Sequence, residues 1–339
     1  MRAVVFDEAG ELARVDRPEP APGPKEVVVE TAAVGVCGTD THVFDGEFEG
    51  TVYPLVPGHE ATGVVVAVGS EVTTLSSGDH VAVNPSTTCG ECEFCANGKS
   101  NLCREWNGLG VVASDGAAQE RFTAPVQNVY KLRPETDLYQ AALIEPLACA
   151  IRAYDRLPRR MGDHYLIYGA GTMGLIMAQL APRAGAASVT VVDINEARLK
   201  TARELGFEHV LTSADRAERD RWDVIVDCTG AVPAIEDALP RVKAGGTFQH
   251  FGVAPAEAGA DYSPFRVYRD EISIVGTMAV LNSFGRAVEM FEAEAINPAP
   301  MISHSFTLDD YPKALELFRQ GKGRKLQIRP GDTVSRVLL

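Results

Sequence analysis

Short runs of β-branched and other apolar residues, broken by Pro and Gly, dominate the first part of the chain. Glu26 to Val36, Gly63 to Val68 and His80 to Val83 are the clearest, and residues 1 to about 146 read as a β-barrel-like half. From about Tyr154 the period changes. Strand-length apolar stretches, His164 to Tyr168 and Val189 to Asp193, alternate with helical segments, Thr172 to Ala184 and Glu196 to Leu205. That alternation predicts βαβ units and a parallel sheet. Asp223 to Asp227, Thr247 to Phe251 and Glu271 to Val275 continue it, and six parallel strands would complete a doubly wound α/β sheet. After Gly276 come two amphipathic stretches, Phe284 to Ala295 and Leu308 to Arg319, and a strand-like Lys325 to Ile328. This tail is expected to return to the first domain. The resulting division is 1–150, 151–283 and 284–339, with Arg17 to Pro24 as a Pro-rich connecting loop.

Composition narrows the function. A chain of 339 residues, 45% hydrophobic, fills two domains of roughly 100–200 residues each. Lys plus Arg number 32 against 46 Asp plus Glu, and the net charge of -14 repels phosphate backbones and anionic membrane surfaces. No nucleic-acid or membrane partner is expected. Apolar stretches such as Ser188 to Val192 are far shorter than the ~20 residues of a bilayer span, and Met1 to Asp7 lacks a signal core. The expected compartment is the cytoplasm. The seven cysteines fit it, because their spacing suggests metal ligation rather than a disulfide framework.

Gly169-Ala170-Gly171-Thr172-Met173-Gly174 follows the apolar run Tyr165 to Tyr168 and opens a helical pattern. In that context G-x-G-x-x-G gives a tight turn, lets backbone approach a pyrophosphate and aims a helix N-terminus at it. Asp193 lies 19 residues past Gly174, where a carboxylate would accept from a ribose hydroxyl and repel a 2′-phosphate. Ile194, Asn195 and Glu196 include no compensating Arg, so NAD is expected over NADP. The bland alternative for Asp193 is a helix N-cap.

Two groups of residues point to metal. Cys89, Cys92, Cys95 and Cys103 have the spacing C-x2-C-x2-C-x7-C, and four thiolates on one loop can close a tetrahedral shell around a structural zinc; an iron-sulfur cluster is the other group such a loop can hold. The second group is dispersed: Cys37 in Cys-Gly-Thr-Asp, His59 and Glu60 in Gly-His-Glu, and Glu145 in Glu-Pro-Leu. A mixed S, N, O set is the kind that leaves a coordination position for substrate.

These motifs, in this order and followed by the glycine turn, closely resemble the zinc-containing medium-chain dehydrogenase/reductase family over essentially the whole chain. The resemblance implies a GroES-like catalytic domain beside a Rossmann NAD domain, two zinc ions per chain, and a homodimer or homotetramer. It makes Cys37, His59 and Glu60 ligands of the catalytic zinc, with Glu145 a fourth ligand or a partner of zinc-bound water. Thr39 resembles the relay hydroxyl, His42 a second relay or substrate-side imidazole, and Asp40 the carboxylate that orients His59. On the cofactor side Arg198 matches an arginine over the adenosine end, and Thr229 and Val253 lie where such folds place the nicotinamide ribose and ring.

Glutamates at 60 and 145 look like the polyol (sorbitol-type) and threonine dehydrogenase branches; liver-type alcohol dehydrogenases have Cys at the latter position. The implied reaction is zinc-dependent, NAD-linked oxidation of a secondary alcohol of a polyol to a ketone, or its reverse. A threonine-type enzyme would need an anchor for the substrate carboxylate, which spacing leaves to Arg133 or Arg152. A dinucleotide-binding protein without turnover would be expected to have lost zinc ligands. Two segments depart from the family: Gly116 to Arg121 replaces the usual Gly-Gly-Phe-Ala-Glu-Tyr, and Gly276 to Asn282 matches no single branch. Trp106 and Asn282 are candidates for substrate contact, with core packing and helix capping as the plainer alternatives.

Overall fold

The computed structural model describes residues 1–338 and divides into two compact units. The first comprises Met1–Ala148, Val280–Ala293 and Ile302–Leu339; the second comprises Cys149–Ala279 and Glu294–Met301. The tail is thus shared. Its helix Phe284–Glu292 and its strands Ile302–Phe306 and Lys325–Ile328 belong to the first unit, whereas the link Glu294–Met301 belongs to the second.

The first unit is organised around the long strand Glu26–Val36. Along one sheet run Arg336–Val337, Ile302–Phe306, Lys325–Ile328, Glu26–Val36, Glu60–Val68, His80–Val83 and Val129–Lys131, and Arg121–Pro125 also pairs with Glu26–Val36. The C-terminal strand enters antiparallel, Leu326 opposite Val36 and Ile328 opposite Val34. Val27, Val29, Val34, Val36, Val65, Val81, Val83 and Leu326 fill the core beside Phe6, whose ring meets Phe44 and Tyr311 edge-on at 5.2 and 5.9 Å. Consecutive positions of the central strand, Val27 to Val29 and Ala33 to Val36, are buried, as in a strand covered on both faces.

The second unit has six strands in the order His209–Leu211, Ser188–Val192, His164–Tyr168, Trp222–Asp227, Val242–His250, Ser273–Gly276, every neighbouring pair parallel. This is the doubly wound sheet expected. The strand order reverses beside His164–Tyr168, so the loops after this strand and after Trp222–Asp227 meet at the switch point where such sheets bind ligands. The helix after Gly171 ends at Leu180; Pro182 sits in the 3₁₀ turn Ala181–Ala184 that follows, closed by left-handed Gly185. Similarly, Leu308–Asp310 is a 3₁₀ turn and the α-helix begins only at Tyr311. The strand expected at Thr247 starts at Val242 instead, with Gly245 at φ 73° and a register shift opposite Trp222 and Val224.

Candidate active site

Cys37 sits where the strand Glu26–Val36 gives way to the helix Gly38–Phe44, as its N-cap. Its Sγ accepts from the Thr39 amide at 3.3 Å, and the Asp40 carboxylate accepts from the Cys37 amide at 2.8 Å, a reciprocal capping arrangement that fixes the thiol. His59 arrives from another direction, on a turn made by Gly58 at φ 99° just before the strand Glu60–Val68. Crowding holds that turn. A Cβ on Gly110 would lie 2.7 Å from the Gly58 nitrogen and one on Gly116 2.3 Å from the Gly58 oxygen, while the Ala117 and Ala118 amides donate to Gly58 and Pro57. The segment that departs from the family pattern thus buttresses the histidine.

Cys37 Sγ and His59 Nε2 stand 3.0 Å apart, and Asp40 Oδ1 faces His59 Nδ1 at 3.5 Å. His59 and Asp40 are buried. Burial opposes charge on the imidazole, but Cys37 and Asp40 outweigh it and hold its pKa well above the usual value. The pocket therefore favours a positive charge between thiol and carboxylate, which a metal cation would supply in place of the proton.

His59 also forms a set with Glu60 and Glu145, in which one ligand atom from each of the three falls within 4.8 Å of the others. Glu145 comes from the first turn of the helix Ile144–Arg156. The structure brings Cys37, His59, Glu60 and Glu145 into two sets that share His59, and sulfur, imidazole and carboxylate donors fit zinc. Glu60 also has a partner that sequence reasoning missed. Lys325 Nζ is 2.6 Å from both of its oxygens, and each side chain is only 3% exposed. Burial disfavours charge on Lys325, yet Glu60, with Cys37 and Asp40, raises its pKa. The available signal was a Lys opening an apolar strand, a position that rarely buries an unpaired charge.

Thr39 is on the first turn of the helix after Cys37, and His42 Nδ1 contacts Glu47 Oε2 at 2.7 Å near the surface. Trp106 packs against the first unit's core, where its ring would touch a Cβ on Gly108 at 2.9 Å. Asn282, at φ 51°, precedes the helix Phe284–Glu292, whose N-cap is Ser283.

The four lobe cysteines cluster around the short helix Glu93–Ala96. Their Sγ separations, 3.4 Å for Cys89 to Cys103, 3.8 Å for Cys92 to Cys103 and 4.0 Å for Cys89 to Cys95, bracket the edge of about 3.8 Å in a tetrahedron with Zn–S near 2.3 Å. None is a disulfide distance. Amide donation from Cys95 and then Arg104 draws the Cys92 thiol down to about 6, whereas desolvation and the Cys103 thiol push Cys95 up to about 12.

In the second unit the three motif glycines have separate reasons. Gly169 is left-handed at φ 98°; a Cβ on Gly174 would lie 1.8 Å from the Gly169 oxygen; a Cβ on Gly171 would meet nothing within 4 Å. The first makes the turn and the third lets the helix pack. The second has no reason inside the chain, which leaves the space before it for a ligand approaching Thr172 and Met173 at the helix start. Asp193 accepts from the Ala170 and Asn195 amides, both at 2.8 Å, and Arg198 approaches it at 3.7 Å. A carboxylate with about four acceptor positions keeps room for a ribose. The helix N-cap here is Asn195. Thr229 bonds to Asp227 after Trp222–Asp227, and Val253 is 73% exposed after Val242–His250.

Comparison with known proteins matches two family models along the chain. Residues 23–134 match the alcohol dehydrogenase GroES-like domain and residues 172–293 the zinc-binding dehydrogenase model. D-arabinitol dehydrogenase 1 of Uromyces fabae is 31% identical over 97% of both chains, and D-altritol 5-dehydrogenase of Agrobacterium fabrum 32% identical over 91% of this chain and 94% of its own. Among solved structures, a Sinorhizobium meliloti 1021 protein bound to NADP superposes with TM-score 0.90 at 28% identity, covering 97% and 99% of the two chains. An Escherichia coli CFT073 alcohol dehydrogenase (rspB) complexed with NADH gives 0.88 at 26%, with the same coverage. Such a pairing of domains is a zinc-binding dehydrogenase. More closely, the chain belongs to the zinc-containing medium-chain dehydrogenase/reductase family, on its polyol branch.

Proposed function

We propose that the protein oxidises a secondary alcohol of a polyol or sugar alcohol reversibly to a ketone, with NAD as hydride acceptor. The observation that carries this is the convergence of Cys37, His59, Glu60 and Glu145 from separate segments, in a family whose relatives are polyol dehydrogenases. Cys37, His59 and Glu60, with Glu145 beside them, would hold a zinc ion that would supply Lewis-acid polarisation of an alcohol oxygen. The protein's own groups do the rest. Asp40 fixes the ring of His59 through its Nδ1 edge, leaving Nε2 beside the Cys37 sulfur. Oxidation gives up a hydroxyl proton and a hydride from carbon; Thr39 and His42 carry the proton outward, and Glu47 orients His42 near solvent.

Asp193 decides between the two nicotinamide cofactors. A 2′-phosphate would meet its carboxylate, and the nearby cation, Arg198, is already turned onto it. Thr172 and Met173 offer helix-start amides to the pyrophosphate, and Thr229 and Val253 lie on the nicotinamide side. Arg133, one arginine a threonine-type substrate would need, is engaged by Glu292.

The four-cysteine lobe would hold a second, structural zinc. With seven free cysteines and no helix among the described residues long and apolar enough to cross a membrane, a cytoplasmic enzyme fits best. Two copies pair through the sheet edge Ser273–Gly276, where Ile274 is exposed. Turnover of a panel of polyols, threonine and simple alcohols, followed by reduction of NAD or NADP, tests the reading. The expected outcome is a polyol oxidised with NAD; turnover of threonine alone, or with NADP alone, contradicts it.

A further inference from the structure

Glu60 is held more firmly than a metal ligand alone would require. It lies opposite Gly35 across the antiparallel strands Glu26–Val36 and Glu60–Val68. A Cβ on Gly35 would fall 1.8 Å from Glu60 Oε2 and 2.9 Å from Cδ, so the carboxylate lies folded against bare backbone. Gly35 has no left-handed φ, and space, not conformation, is what the glycine provides here. Onto the same carboxylate comes Lys325, at 2.6 Å from both oxygens, with a further bond to the Val36 carbonyl at 3.2 Å. Its strand is set by the pairing of Leu326 with Val36, one residue before Cys37.

Three distant segments thus converge on one carboxylate that also lies within ligand distance of His59 and Glu145. A buried ion pair is seldom an efficient stabiliser compared with apolar packing, which directs attention to what this one does for the neighbouring site.

We propose that Gly35 and Lys325 are positioning residues for the catalytic metal. Gly35 opens the space in which the Glu60 carboxylate lies, and Lys325 holds its oxygens, so that Glu60 reaches the metal with part of its negative charge already neutralised. This rests on the reading of Cys37, His59 and Glu60 as the metal site. The Cys37 sulfur and the Asp40, Glu60 and Glu145 carboxyl groups belong to the two sets that share His59; the Lys325 ammonium against Glu60 would weaken it as a donor and leave a bound cation more electrophilic.

The test uses full-length protein loaded with cobalt in place of zinc. Lys325→Met is expected to shift the visible cobalt bands of the catalytic site and to make its metal about tenfold or more slower to yield to a chelator, because a repelling charge has gone and Glu60 donates fully. Lys325→Arg, which restores the charge, should recover most of both properties. Gly35→Ala keeps every charge and displaces the carboxylate, so it should move the cobalt bands even if Lys325→Met does not fold. Unchanged bands and unchanged chelator resistance in whichever variant folds would reduce the pair to a structural contact and overturn the proposal. Failure of the underlying metal reading looks different: the wild-type protein would then carry a single metal, at the cysteine lobe.

Discussion

At the scale of the residue, the glycine turn separates a packing requirement from a ligand requirement. Gly174→Ala forces a methyl against the Gly169 carbonyl and should cost about 1–3 kcal/mol of stability, read as a lower Tm. Gly171→Ala meets open space at φ −74°, so its loss should stay near 1 kcal/mol or below while NAD affinity falls tenfold or more, measured by titration of the bound nucleotide. A Gly171→Ala variant with normal NAD affinity would remove the dinucleotide from that space. The motif residues were legible in the sequence because their chemistry is local: a turn, a helix start and a carboxylate at the next strand end need fixed spacing. Lys325 and Gly35 were not. Their meaning depends on a contact spanning 265 positions and on a clash that exists only after two strands pair.

Elements were legible where their period was long and unbroken. His164–Tyr168, Glu26–Val36 and Lys325–Ile328 fall where the pattern put them. The strand His209–Leu211 escaped because three residues cannot display a period, and only its parallel pairing to Ser188–Val192 defines it. Val242–His250 began earlier than its apolar run because Gly245 and Gly246 hide a strand that carries a bulge. The tail's link Glu294–Met301 joined the second unit for reasons of tertiary contact that no periodicity records. At the opposite edge from His209–Leu211, Ser273–Gly276 ends the sheet and carries exposed Ile274, and Phe265 and Tyr268 on the preceding helix Pro264–Arg269 are exposed too. The pairing of copies proposed at this edge predicts that Ile274→Lys shifts the protein to a smaller species in sedimentation or size-exclusion measurements, and an unchanged size would contradict it.

For the whole molecule, the sequence announced the class of chemistry because five ordered motifs span both units, and the structure adds how the first unit supports its metal site. Strand pairing brings the Cys37 and Glu60 segments together, crowded glycines fix His59, and the returning C-terminal strand delivers Lys325. The alcohol itself was not legible, since no motif in the sequence specifies the residues that would contact it and Gly276 to Asn282 matches no single branch. The most direct test of the account is zinc content measured together with turnover in Cys37→Ser. Wild-type protein should hold two zinc ions per chain, and the variant should keep the one at Cys89, Cys92, Cys95 and Cys103, bind NAD normally and lose polyol turnover by at least about a hundredfold. A Cys37→Ser protein that retains both zinc ions and oxidises polyols at the wild-type rate would contradict the assignment of the catalytic centre.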